Sequence, residues 1–188
     1  MYYWHWVKNV VHRPKTTGYP TALDDTVQHM SRSGAIVVDA PLEQPFFKRS
    51  VALRQVDGGS CNGCESELSL LSSPDYDLSR YGFSFVPSPK HADVLVVTGV
   101  ITRALAPVIR TVYDQMTAPK RVVAVGACAI DGWVFQGAPD VLGRLDDIVP
   151  VTVRIHGCPP TPGDLLRGLL AAVDGADPAS LAPRGVRA

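Results

Sequence analysis

The sequence predicts an α/β fold: an open, mostly parallel β-sheet with helices on both faces. Three observations carry that prediction. Short β-branched runs alternate with helical segments between residues 51 and 173. Three of those runs, VLVVTG, RVVAVG and VTVRIHG, stop at a glycine, as strands buried inside a parallel sheet do. The segment from Pro162 to Val173 places Leu165, Leu166, Leu169, Leu170 and Val173 on one face of a helix.

The elements follow in order. Strands are predicted over Val51–Val56, Phe83–Val86, Val94–Thr98, Arg121–Val125 and Val151–Ile155, and helices over Glu65–Leu71, Ala104–Met116 and Pro162–Val173. Pro107 falls in the first turn of the middle helix, where a missing N–H is tolerated. Pro162 fits the same position of the last helix, with Thr161 as its N-cap. Residues 1–48 read as an N-terminal extension, 49–174 as the folded domain and 175–188 as an irregular Gly/Ala/Pro-rich tail.

Composition bounds the function. The 188 residues are 46% hydrophobic and 19% charged, which suits a folded core. Eighteen basic and eighteen acidic residues cancel, and no basic stripe points to nucleic acid. No apolar stretch reaches the length of a membrane span. The first residues, MYYWHWVKNVVHRPK, lack the apolar core of a secretory leader, so a cytoplasmic location is expected. Tyr2, Tyr3, Trp4 and Trp6, with Lys8, Arg13 and Lys15, suit a membrane interface or a partner subunit.

The chemistry lies in four cysteines. Cys61 and Cys64 follow the strand ending at Val56, Cys128 the strand ending at Val125, and Cys158 the strand ending at Ile155. All four are placed in loops at the carboxyl ends of strands. In an open parallel sheet those loops converge on one edge. Glycines close before each cysteine let the backbone approach a bulky group. Four thiolates complete the coordination of a [4Fe–4S] cluster. A structural four-cysteine zinc site uses the same ligands, although zinc ribbons usually carry two tight CxxC pairs and this chain has one. A redox dithiol at Cys61–Cys64 would leave Cys128 and Cys158 unexplained.

Three motifs in order, GSCNGCESEL, GACAIDGWVFQG and HGCPPTPGDLL, resemble the small subunit of [NiFe] hydrogenases and the related cluster-bearing subunit of complex I. The resemblance covers about residues 50–173. It implies a flavodoxin-like fold and one proximal [4Fe–4S] cluster on Cys61, Cys64, Cys128 and Cys158. Complex I subunits carry adjacent cysteines at the first motif, whereas this chain has Cys61-Asn62-Gly63-Cys64. The cysteines of further clusters are absent. The pattern is therefore most similar to the one-cluster small subunit of membrane-bound, energy-converting (group 4) hydrogenases of the formate-hydrogenlyase type. That implies a NiFe-type large catalytic subunit, a further Fe–S electron-transfer subunit and membrane subunits as partners. It also implies a peripheral position on the inner face of the cell membrane. Thr161, His156 and Gly132-Trp133 stand where the family often has arginine, proline and paired glycines.

Other residues divide between structure and function. Glu65 and Glu67 supply favourable charge at a helix start. Glu67 is also the candidate for a proton role. His156 reads as a strand-end residue that could tune the cluster, and Trp133 and Phe135 as packing or as a shield from water.

Overall fold

The computed structural model describes residues 35–38 and 50–174. Six strands form the main sheet: β1 (Ile36–Val38), β2 (Val51–Asp57), β3 (Phe83–Phe85), β4 (Val94–Thr98), β6 (Arg121–Val125) and β8 (Val153–Ile155). Their order is β1-β8-β6-β4-β2-β3. The five strands from β3 to β8 are mutually parallel, and β1 runs antiparallel to β8. Counting only the parallel strands, the order is the 2-1-3-4-5 of flavodoxin-like folds, with the switch point between β2 and β4. Two further strands, β5 (Ile101–Thr102) and β7 (Val141–Gly143), pair separately.

The helices are α1 (Gly63–Leu70), α2 (Ala106–Gln115), α3 (Gly126–Asp131) and α4 (Pro162–Asp174). Alternation along the strands sorts the core into two layers. Val94 and Val96 of β4, with Val123 and Val125 of β6, pack with Leu68 of α1 and Leu165, Leu166 and Leu169 of α4. Leu95 and Val97, with Val122 and Ala124, pack with Ala106 and Ile109 of α2 and Ala129 and Ile130 of α3. Every residue of β4 and β6 is buried, which explains why both read as continuous apolar runs.

The predicted start and cap of α4 hold, whereas α2 starts at Ala106 rather than Ala104. Asp164 N–H donates to Thr161 Oγ1 at 3.2 Å, so Thr161 caps α4. Pro107 lies in the first turn of α2. Arg121, buried at the start of β6, donates to the carbonyls of Ala172 and Val173 and satisfies the far end of α4.

Several elements differ from the sequence reading. β8 begins at Val153 rather than Val151, because Thr152 meets β6 partly through its side chain: Thr152 Oγ1 accepts Val122 N–H at 3.3 Å. α1 begins two residues early, after Asn62 takes a left-handed conformation with φ 68°. α3 lies where a loop was expected. β1 comes from within the segment read as an extension and lies against β8, where His156 N–H donates to Ala35 O at 2.9 Å. Tyr2 to Lys15 and the tail from Gly175 lie outside the described residues. Among the described residues no helix is long and apolar enough to cross a membrane.

Candidate metal centre

The four cysteines meet at the carboxyl edge of the sheet. Cys61, Cys64, Cys128 and Cys158 together line one cavity of about 250 Å³. The structure thus brings together all four of the predicted ligands. Their local setting differs from the sequence reading in one respect. Cys61 and Cys158 are in loops, but Cys64 is in the first turn of α1 and Cys128 in the first turn of α3. β6 runs directly into α3, while a five-residue loop joins β2 to α1, and in both cases a sulfur sits near the positive end of a helix.

The backbone around the cavity is shaped for close approach. Gly126 joins β6 to α3 with φ +82°, and a Cβ on it would lie 2.7 Å from Cys64 Sγ. Ala127 N–H donates to Gly157 O at 2.9 Å, which ties the Cys128 and Cys158 segments together. At the switch point, Gly58 N–H donates to Thr98 O at 2.8 Å, and Gly58 O accepts from Thr102 N–H at 3.1 Å and from Thr102 Oγ1 at 2.9 Å. The first cysteine loop is therefore held by β4 and β5 independently of any ligand.

The thiols sense burial and one another. Burial pushes the Cys64 thiol up to about 12, helped by the charge of Glu65 and by Cys128, Cys158 and Cys61. Burial also raises Cys128, to about 11, with Cys158, Cys61 and Asp131 adding to the effect. Cys158 is raised by burial and by Cys61. Mutual repulsion of four thiolates is what a cationic iron core relieves, and four soft sulfur donors are its natural ligands. Four thiols in a cavity that Gly59, Gly63, Gly99 and Gly157 also line fit such a cluster.

A pH dependence follows with a fixed sign. In the metal-free subunit both raised thiols stay protonated in the fold beyond their unfolded value of 9.0. Their contribution to stability is complete below about pH 9 and is lost as pH rises toward 11 and 12. At pH 8 the Cys128 thiolate population should be on the order of a hundredfold smaller than in the unfolded chain. Alkylation of Cys64 and Cys128, followed peptide by peptide in the presence and absence of urea, should be slowed at least to that extent.

The other sequence candidates divide clearly. Phe135 lines the cavity and is 46% exposed, beside Val134 at 64%. Leu142, also exposed, lines a different cavity with Arg103, Pro107 and Arg110. Trp133 N–H donates to Asp131 Oδ1 at 2.9 Å and the residue turns the chain out of α3. Glu65 and Glu67 both lie on α1 and neither lines the cavity. Both Glu65 carboxylate oxygens are buried without a hydrogen-bond partner among the described residues. Sequence reasoning does not single out Asp57, whose Oδ1 accepts the N–H groups of Gly59 and Ser60, each at 2.7 Å. The available signal was aspartate before Gly-Gly-Ser, a pattern in which the side chain caps its own following turn.

Comparison with known proteins agrees with this geometry. The chain is 43% identical over 129 residues to the "Probable membrane-bound hydrogenase subunit mbhJ" of Pyrococcus furiosus, covering 69% of this chain and 77% of that protein. It is 44% identical over 128 residues to "Formate hydrogenlyase subunit 7" of Escherichia coli, covering 68% of this chain but 50% of that one. Among solved structures, a subunit of the archaeal membrane-bound sulfane sulfur reductase aligns with a TM-score of 0.58 at 28% identity, over 77% of this chain and 71% of its own. The model of the family "NADH ubiquinone oxidoreductase, 20 Kd subunit" matches residues 61–172, from Cys61 into the last helix, and the chain belongs to that family.

Proposed function

We propose that this chain is the electron-transfer small subunit of a membrane-associated [NiFe] hydrogenase complex, holding one [4Fe–4S] cluster on Cys61, Cys64, Cys128 and Cys158. The observation that carries the reading is the convergence of four thiols, delivered by three separate strand ends, on one cavity. When bound, such a cluster accepts and releases single electrons. This chain's residues hold it and control its surroundings. The glycines let the backbone close around it, and Phe135 excludes water from its flank. Phe135 at the cavity and its exposed neighbour Val134 offer apolar surface for a large catalytic subunit. A further Fe–S subunit and membrane subunits complete the proposed assembly, which places this chain peripherally on the inner face of the cell membrane. Glu67 is proposed as a candidate for proton handling at the large-subunit interface.

A second reading, a subunit of a complex-I-like quinone oxidoreductase, has the family's own name in its favour. The first motif distinguishes them here, because Cys61 and Cys64 are separated by two residues rather than adjacent. The purified complex should contain nickel and release hydrogen from reduced viologen. A nickel-free complex that reduces quinone would replace the hydrogenase reading with the second one.

A further inference from the structure

We propose that β1 is a positioning strand of the metal site: it fixes the backbone from which Cys158 projects, so residues well ahead of the first cysteine motif help to hold the fourth ligand. This rests on the four-cysteine cluster reading above and deepens it.

Cys158 lies three residues beyond the end of β8. β8 is flanked on one side by β6, from Val123↔Val153 to Val125↔Ile155. On its other side lies β1, with Ile36↔Ile155, Val37↔Arg154 and Val38↔Val153. That second ladder continues one step past the strands, toward the cysteine, where His156 N–H donates to Ala35 O at 2.9 Å. Gly157 O then accepts Ala127 N–H, also at 2.9 Å. The stem of the Cys158 turn is thus held from two flanks, by the β1 segment and by α3.

The turn itself has little freedom. Gly157 has φ +147°, and a Cβ on it would lie 2.5 Å from Pro160 Cα, so the chain doubles back tightly around Cys158. Pro159 and Pro160 stiffen its exit. A stiff turn passes the orientation of its stem on to the sulfur. Hydrogen-bonded positions alternate along an antiparallel pair, so the bond at His156 places the next one at Arg154 and Val37. Without β1, β8 becomes an edge strand whose Arg154 and His156 amides face solvent. The side chains of β1 separate its packing from its hydrogen bonds. Ile36 and Val38 pack against the core that holds Ile155 and Leu165, whereas Val37 is 41% exposed.

The test is alkylation of the four cysteines, followed peptide by peptide, in the assembled complex purified without oxygen. A thiolate bound to iron is shielded from the reagent and a released one is not. Val37→Pro removes one ladder N–H and leaves both core-facing side chains in place. It should raise the labelling rate of Cys158 at least about fivefold, the size expected from one net backbone hydrogen bond, with smaller changes at Cys61, Cys64 and Cys128. Val37→Thr keeps the N–H and a β-branched side chain, and should match the unsubstituted complex. An equal rise at all four cysteines overturns the proposal, because β1 then supports only the fold as a whole. No rise at Cys158 overturns it as well. If the Val37→Pro complex does not accumulate, Ile36→Ala decides, since it keeps every backbone donor and only thins the packing of β1. A rise greatest at Cys158 supports the proposal, and an even rise or none overturns it. An unsubstituted complex whose Cys158 labels as fast as in urea overturns the four-cysteine reading itself, a separate and recognisable failure.

Discussion

Replacing Cys128 by alanine is expected to remove the cluster altogether, with loss of its EPR signal and of its iron and acid-labile sulfide from the complex. Cys128 is the one proposed ligand that α3 carries, and the other three thiols come from the loop after β2, from α1 and from the segment after β8. The nearest acid in its helix, Asp131, is turned to Trp133 N–H at 2.9 Å and is a poor replacement. Loss of a partner outside the ligand shell typically costs 10–100-fold in metal affinity or activity. Loss of a ligand should exceed that, so electron transfer through the subunit should fall to background. The measurements are metal content, sulfide and EPR on complex purified without oxygen. A complete cubane in the Cys128→Ala complex would refute the four-ligand assignment.

Gly126→Ala should reach nearly the same end by a different route. The substitution leaves every ligand in place. Its Cβ would lie 2.7 Å from Cys64 Sγ, at a residue whose φ is +82°. Alanine in that left-handed conformation costs roughly 1–2 kcal/mol. For a chain of this size that lowers the unfolding midpoint by several degrees, about 2–4 °C per kcal/mol. The sulfur has the larger problem, because it can escape the new methyl only by leaving its place in the cavity. Cluster content should therefore drop severalfold while circular dichroism still reports a folded α/β protein. Full iron content with a lowered melting point would mean that Cys64 has room to move and that the cradle is not tight.

The strongest parts of this molecule were legible in its sequence for physical reasons. β4 and β6 are buried from end to end, so their side chains had to be apolar on both faces, and VLVVT and RVVAV read as strands without context. α4 carries a full leucine stripe and a Thr161 cap that both survive in the structure. The convergence of cysteines required only that parallel strands share a carboxyl edge. What stayed hidden is short or depends on distant partners. β1, β5 and β7 have three, two and three residues, too few for a periodicity to register. α3 has six residues and no side-chain cap, so Cys128 read as a loop residue although it sits in a helical turn. The register of β1 against β8 is set by tertiary pairing alone. The crowding of Gly126 against Cys64 joins two strand ends and has no local signature. Asp57 carried a local signature, but the close approach of Gly99 to its Oδ1 across the switch point has none.

The seam that delivers Cys158 is the shortest parallel ladder on its side of the sheet. β4 pairs with β2 and with β6 over five residues each, whereas β8 meets β6 over three, from Val123↔Val153 to Val125↔Ile155. The proposed fourth ligand thus follows a strand joined to its parallel neighbour by three residue pairs and to β1 by three more. A chain whose last parallel strand has not docked has only three of its sulfurs in place and cannot close a cubane. On the proposed assignment, cluster loading is coupled to the docking of β8, and every four gram-atoms of retained iron count one mole of chains that finished folding.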